Sequence, residues 1–168
     1  MNNIVLFEPE IPQNTGNIMR TCVATNTKLH LIKPLGFSLD DKYVKRSATN
    51  YIEYLEYEVY ENFEDFKSKN KGTYYYFTRY GKKPHTSFDY SNKNENIYLI
   101  FGKESTGIPK EILQNDLDKC MRIPMTNKVR ALNLSNSAAI AIYEVLRQQD
   151  YNDLLRVEPH KGEDYLEK

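Results

Sequence analysis

The stretch IYLIFGKESTGIP, residues 97–109, is the part of the sequence that decides the fold. It begins with a short run of β-forming residues, Ile97 to Phe101, and it ends at Pro109, a residue suited to open a helix. Similar β-rich runs occur at Ile4 to Phe7, Leu29 to Ile32, Thr73 to Thr78 and Met121 to Ile123. Because helical patterns alternate with these runs, the sequence predicts an α/β fold with a parallel sheet flanked by helices.

Four further segments have helical signals. They are Gly16 to Thr25 with Asn14 or Thr15 as cap, a helix that starts at Ser38 to Asp41, Glu61 to Ser68, and Asn133 to Gln149 with Asn133 or Ser135 as cap. In the last helix Leu134, Ala138, Ala141 and Val145 share a face, whereas Ile140, Tyr143 and Leu146 add apolar surface elsewhere. We expect this helix to be covered on more than one side, by the sheet alone or by the sheet and a partner subunit.

Length and composition predict one soluble domain. A chain of 168 residues with 40% hydrophobic content is long enough to bury one core. We expect a single domain over residues 1–150 and a charged tail over 151–168, where the apolar periodicity is lost. No signal peptide and no run of about 20 apolar residues is present, which predicts a cytoplasmic location.

Neither the net charge nor the cysteines and histidines indicate a particular partner or metal. Basic and acidic residues number 23 each, so any RNA site must be a local patch. Cys22 and Cys120 lack a CxxC partner, which favours buried thiols over a disulfide or a zinc site. The three histidines are scattered in the sequence, and we predict neither a metal ligand nor a catalytic base among them.

Three loops at predicted strand ends hold most of the chemistry-bearing residues, and ligands of open α/β sheets bind at such ends. The first, PEIPQNTGNIMR at 9–20, predicts a phosphate site with Arg20 beside free helix amides, or an ordinary capped helix with a solvated arginine. The second, FGKESTGIP at 101–109, lacks the Walker A and GxGxxG patterns, so it is a different ligand loop or a β-turn connection. The third is RIPMTNKVRALNLSNS at 122–137.

Taken together, these loops resemble a known family. In order and spacing, they resemble the three motifs of SPOUT-class RNA 2′-O-methyltransferases. The matching segments are NTGN with Arg20, then FGKESTGIP, then IP followed by RALNLSNS. IVLFEPEIP, KPLGFSLDD and YEVLRQ are similar to the small branch that modifies the wobble position of tRNA. The resemblance implies a C-terminal trefoil knot that holds S-adenosylmethionine (AdoMet), and a homodimer that binds the tRNA anticodon loop across both subunits.

The resemblance also implies roles for particular residues. The AdoMet pocket would comprise Phe77, Thr78, Gly102, Ile123, Met125, Ala131, Leu132 and Asn133. The catalytic residues would be Asn14, Arg20, Glu104 and Asn133. The RNA surface would comprise Arg20, Lys42, Lys45, Arg46, Lys103, Arg130 and Tyr143, together with Arg122 and Lys128. For each lysine taken singly, a solvated face is the alternative. Tyr143 would contact RNA or a partner, unless it is a packed core tyrosine.

The implied activity is AdoMet-dependent methylation of the ribose 2′-hydroxyl of a wobble cytidine or modified uridine. Three alternatives remain open: the same reaction on another RNA such as rRNA, a non-catalytic RNA- or AdoMet-binding module, and a flavodoxin-like nucleotide-binding domain. The branch commonly has serine where this chain has Ala131. That departure favours the non-catalytic module, whereas the intact Arg20 and Asn14 oppose it.

Overall fold

A six-stranded, all-parallel sheet in the order β3-β2-β1-β5-β4-β6 forms the centre of the computed structural model, which describes residues 1–48 and 50–168. The strands are β1 (Asn2–Phe7), β2 (Lys28–Ile32), β3 (Tyr57–Tyr60), β4 (Thr73–Phe77), β5 (Ile97–Phe101) and β6 (Cys120–Met121). The predicted α/β class is therefore confirmed.

Two strands differ from the prediction. The edge strand β3 was not predicted from the sequence, and it is ordered by its pairing with β2, from Leu29 opposite Tyr57 onwards. The strand predicted at Met121 to Ile123 is wrong in its bounds, because the sheet ends at Met121. Beyond it, the main chain of Arg122 bonds to the loop at residues 83–85 instead of to β4.

Among the described residues, five α-helices flank the sheet: α1 (Pro12–Ala24), α2 (Lys42–Ala48), α3 (Phe63–Lys69), α4 (Lys110–Gln114) and α5 (Leu134–Gln148). The predicted cap of α5 is confirmed, since the side chain of Asn133 accepts hydrogen bonds from the amides of Ser135 and Asn136. The prediction for α1 is wrong by one turn. Asn14 and Thr15 are buried inside that helix and do not cap it.

Alternate side chains of the central strands enter two apolar clusters, one on each face of the sheet. Ile4 and Leu6 of β1 pack with residues of α1, α2 and α5, whereas Val5 and Phe7 pack with residues of α3 and α4. Both cysteines are free and buried, as predicted. Tyr151 and Leu154, at the start of the predicted tail, pack against the first cluster.

The sheet covers only one side of α5. Ala138, Ala141 and Val145 are buried in the core, but Ile140 is 42% exposed and Tyr143 is 46% exposed. The interpretation of Tyr143 as a packed core residue is therefore wrong.

Within the described residues, no helix is long and apolar enough to cross a membrane. The same residues form no cluster of three or more His, Cys, Asp or Glu side chains suited to a metal ion.

Candidate active site

The three predicted loops leave the sheet at its carboxyl edge. Phe77 at the end of β4 pairs with Phe101 of β5 on one side and with Met121 of β6 on the other. Since parallel strands end at the same edge, Thr78, Gly102 and Ile123 follow three adjacent strands there. The structure thus brings these three predicted cofactor residues to one edge of the sheet.

Gly102 lies where the second loop folds back on itself. The amide of Gly107 donates to the carbonyl of Lys103 at 2.8 Å, and Gly107 has a φ of 74°. A Cβ on Gly102 would stand 2.1 Å from the carbonyl carbon of Gly107 and 2.3 Å from the nitrogen of Ile108. Only glycine fits at position 102 with this backbone, so the loop presents main-chain groups at the sheet edge.

At this edge the half-buried ring of Phe77 lies against the buried ring of Phe101. The rings of Phe77 and Phe101 stack with centroids 4.7 Å apart. Beside them the amide of Thr78 donates to the carbonyl of Met121 at 2.9 Å. An apolar wall next to fixed peptide groups suits a purine and a sulfonium, which need no phosphate cradle.

The third loop, residues 123–133, has little regular structure. Ile123 and Met125 are half-buried, whereas residues 126–133 are exposed. Among the residues that the structure describes, the amides of Ile123, Met125, Ala131 and Leu132 donate to no protein acceptor. These amides are therefore free to donate to a ligand.

An amide–amide hydrogen bond joins the first and third loops. Nδ2 of Asn133 donates to Oδ1 of Asn14 at 3.0 Å, while Oδ1 of Asn133 caps α5. Asn14 is buried within α1. Asn133 thus sets the start of α5 against α1, and two predicted catalytic residues are in direct contact.

A pair of glutamates joins the first and second loops. Oε2 of Glu104 accepts hydrogen bonds from the amides of Glu10 (2.9 Å) and Ile11 (3.2 Å), and Oε1 of Glu10 accepts from the amide of Ser105 (2.9 Å). Hydrogen bonding with the side chain and the amide of Ser105 holds the pKa of Glu10 below its usual value. Glu104 therefore holds the two residues that lead into α1, whereas the start of the helix itself has no side-chain cap.

The other carboxylate oxygen of Glu104, Oε1, is buried and has no partner among the described residues. A carboxylate whose second oxygen binds two amides is held in place by the main chain. This arrangement suits orientation of loops and ligand better than proton transfer.

Arg20 lies in the third turn of α1 and is exposed. The prediction that it stands beside free amides at the helix start is wrong, because α1 begins at Pro12. Its guanidinium carbon lies 4.9 Å from the centroid of the Tyr51 ring. The Arg20 guanidinium forms no hydrogen bond or ion pair with another described residue, so its N–H groups are available to an anion.

The predicted RNA-contacting residues fall into two sets. Lys42, Lys45 and Arg46 are exposed on α2, which packs on α1. Around the third loop, Lys128 and Arg130 are exposed, and Arg122 donates to the carbonyl of Arg79 at 3.1 Å. Lys103 forms an ion pair with Glu8 at 3.7 Å, so its charge is partly compensated.

Three residues of the site were missed in the sequence analysis: Glu10, Tyr51 and Phe101. Phe101 is the end of a predicted strand, so its position at the sheet edge could have been inferred. The partners of Glu10 and Tyr51 are distant in sequence, and no local pattern indicates them.

The sequence profile of the SpoU rRNA methylase family matches residues 1–143. The chain belongs to the SpoU rRNA methylase family. Within this family, the chain is 53% identical over 153 residues to a Bacillus subtilis protein provisionally named tRNA (cytidine(34)-2′-O)-methyltransferase. The matched region spans 90% of this chain and 96% of that relative.

Two solved structures extend the comparison for this SpoU family member. One, described as giving structural insights into the 2-OH methylation of C/U34 on tRNA, superposes with a TM-score of 0.82 at 36% identity, over 89% of this chain and 97% of that one. The other is the SpoU methyltransferase AviRb from Streptomyces viridochromogenes in complex with AdoMet. It has a TM-score of 0.76 at 20% identity and covers 88% of this chain and 60% of that one, which shows the shared fold.

Proposed function

We propose that this SpoU family member methylates the ribose 2′-hydroxyl of the wobble nucleotide of tRNA, a cytidine or a modified uridine, with AdoMet as methyl donor. The observation that carries the proposal is the meeting of three motif loops at one sheet edge, tied together by the Asn14–Asn133 and Glu10–Glu104 contacts. The names of the B. subtilis relative and of the 36% identical structure support the wobble position as target.

The residues at the sheet edge fit AdoMet. The half-buried ring of Phe77, backed by the buried ring of Phe101, provides an apolar wall, and the close fit at Gly102 brings main-chain groups near it. Unpaired main-chain amides complete the proposed pocket, those of Ile123, Met125, Ala131 and Leu132. Thr78 and Asn133 contribute neighbouring atoms. Recognition through peptide groups requires no hydroxyl at Ala131. When bound, AdoMet supplies a methyl group activated on a sulfonium.

Arg20 has an electrostatic role in the proposed mechanism. A guanidinium stays protonated in proteins and is therefore no base. With its donors unused, Arg20 holds an RNA phosphate and stabilises the negative charge that develops on the 2′ oxygen. The hydroxyl proton leaves to the phosphate or to solvent. The contacts of Asn14, Asn133 and Glu104 hold the loops in fixed positions relative to one another.

The test of this function is transfer of labelled methyl from AdoMet to tRNA by the wild type, Arg20→Ala and Arg20→Lys. We expect transfer by the wild type and a large fall in its rate, to a small residual rate, in both variants. Near-normal turnover of Arg20→Lys would contradict the guanidinium role. Absence of transfer to any tRNA, with AdoMet binding verified by calorimetry, would contradict the function.

Methylation of rRNA is the second candidate, because the family takes its name from rRNA methylation. The exposed basic residues of α2 and of the third loop suit either RNA, since phosphate contacts carry no sequence information. Nucleoside mapping of methylated total RNA distinguishes the two acceptors. A purely binding module is opposed by the presence of Arg20, whose guanidinium contacts the Tyr51 ring and keeps its N–H groups available.

A trefoil knot is part of the proposal. The carbonyl of Met121 accepts from Thr78, and the amide of Arg122 donates to Lys83 at 3.0 Å, so this segment lies between the end of β4 and the loop that follows β4. Gly81 approaches it so closely that a Cβ there would stand 2.3 Å from the carbonyl carbon of Met121. A chain held between a strand and that strand's own loop is consistent with threading.

We also propose a homodimer that forms through α5. The exposed Ile140 and Tyr143 leave an apolar face uncovered. Beside it lies an open groove of about 580 Å³ to which Ala24 of α1, Tyr143 of α5 and Leu154 contribute. A second copy would cover this face and enlarge the RNA surface.

Light scattering and methyl transfer test the dimer with Tyr143→Asp. We expect a monomer without activity, whereas the control Leu166→Asp, at a 93% exposed apolar position in the tail, stays dimeric and active. A fully active monomer would contradict the proposal.

We further propose one domain over residues 1–150, a tail over 151–168, and a cytoplasmic location where tRNA is available.

A further inference from the structure

Tyr51 and Arg20 meet because α1 and α2 approach each other closely. Position 16 has no room for a side chain: a Cβ on Gly16 would stand 2.4 Å from Cβ of Ser47. Arg20 lies one helical turn after Gly16, and Tyr51 follows the end of α2 by a few residues. The close approach therefore brings the half-buried Tyr51 ring to the side chain of Arg20, with 4.9 Å between the guanidinium carbon and the ring centroid.

An aromatic partner differs physically from a carboxylate partner. A carboxylate would compensate the positive charge of Arg20 and occupy two of its N–H groups. A ring attracts the guanidinium through its quadrupole, restricts its orientation, and leaves its charge and its five donors available. Such a partner suits an arginine that must receive a phosphate and a developing alkoxide.

We propose that Tyr51 is a positioning residue for methyl transfer, which orients the Arg20 guanidinium by cation–π contact without neutralising it. This inference rests on the proposed function. The aromatic ring, not the phenolic hydroxyl, is the required part, because the contact is to the ring centroid.

The test compares Tyr51→Phe, which keeps the ring, with Tyr51→Leu, which removes it. We expect kcat of Tyr51→Leu to fall about tenfold and that of Tyr51→Phe to stay within about twofold of wild type, with KM for AdoMet unchanged in both. Tyr54→Leu is the matched control, since Tyr54 lies in the same segment, is 71% exposed, and has no cation over its ring among the described residues.

A double-mutant comparison separates positioning from a general structural effect. In an Arg20→Ala background, Tyr51→Leu should lower the residual rate no further, because the residue through which it acts is absent. A further tenfold loss there, or wild-type kcat in the single variant Tyr51→Leu, would overturn the proposal.

NMR gives a readout that does not depend on turnover. The ring current of an aromatic side chain should displace the Arg20 side-chain N–H resonance in the wild type and in Tyr51→Phe, and the displacement should vanish in Tyr51→Leu. An unchanged resonance in Tyr51→Leu would also overturn the proposal. If the wild type transfers no methyl to RNA, the proposed function fails, and the NMR comparison still decides whether Tyr51 orients Arg20.

Discussion

Replacement of Gly102 by alanine tests the geometry of the proposed cofactor loop. The added Cβ would stand 2.1 Å from the carbonyl carbon of Gly107 and 2.3 Å from the nitrogen of Ile108, whereas ordinary contacts begin at 3.4 Å. Both opposing atoms belong to the backbone, so no side chain can rotate away. The loop must therefore move by roughly 1 Å, and a shift of that size at a site costs about 100-fold in rate.

Gly107→Ala is a matched control in the same loop. Its Cβ would meet no atom within 4 Å, but its φ of 74° is unfavourable for alanine. We expect a loss of about 1–2 kcal/mol in the free energy of unfolding, with the position of residue 102 preserved. The two variants thus separate displacement of the loop from strain within it.

Calorimetry with AdoMet and methyl-transfer kinetics measure the outcome. Gly102→Ala should transfer methyl about 100-fold more slowly than the wild type and bind AdoMet more weakly, whereas the rate of Gly107→Ala should stay within about threefold of wild type. Thermal unfolding verifies that both variants fold. A folded Gly102→Ala protein with wild-type affinity for AdoMet would refute the assignment of this loop to the cofactor.

Three further predictions concern other parts of the site and the core. Asn133→Ala should lose the α5 cap and the activity, and its free energy of unfolding should fall by about 1 kcal/mol, measured by thermal unfolding. Asn133→Asp should keep the cap but lose the donor to Asn14. An active Asn133→Asp variant would contradict the role of that donor. Glu104→Gln should retain most methyl transfer, because the side-chain amide oxygen also accepts hydrogen bonds from the two main-chain amides. A fall in rate of roughly 1,000-fold in a folded variant would instead indicate that Glu104 transfers a proton. Burial lowers the pKa of His30 to about 4 from the ordinary 6.5, so the folded state binds fewer protons than the unfolded state between these values. The free energy of unfolding should therefore fall by up to about 3 kcal/mol as the pH drops from 6.5 to 4, and an equal fall in His30→Gln during urea titrations would exclude His30 as its source.

The sequence predicted those elements whose signals are local. The cap of α5 was correct because Asn133 binds amides two and three residues ahead of it. Side chains of β1 point alternately to the two faces of the sheet, Ile4 and Leu6 to one and Val5 and Phe7 to the other, as strand geometry requires. The sequence does not show this alternation as a polar–apolar pattern, because both faces are buried.

Features that depend on distant residues were not predictable in this way. The start of α1 was misplaced because the helix begins at Pro12 without a side-chain cap, and the residues before it are held by Glu104, which lies in another loop. β3 was missed because its short segment is ordered by pairing with β2 at the sheet edge. The contact of Tyr51 with Arg20 depends on the close packing of α1 on α2, which is a property of the folded chain.

The most direct test of the central claim uses a tRNA acceptor that lacks a single oxygen atom. Two otherwise identical tRNAs, one with ribose and one with deoxyribose at the wobble position, are incubated with the protein and labelled AdoMet. The account predicts labelling of the ribose form and none of the deoxyribose form. Equal labelling of both would contradict methylation of the wobble 2′-hydroxyl.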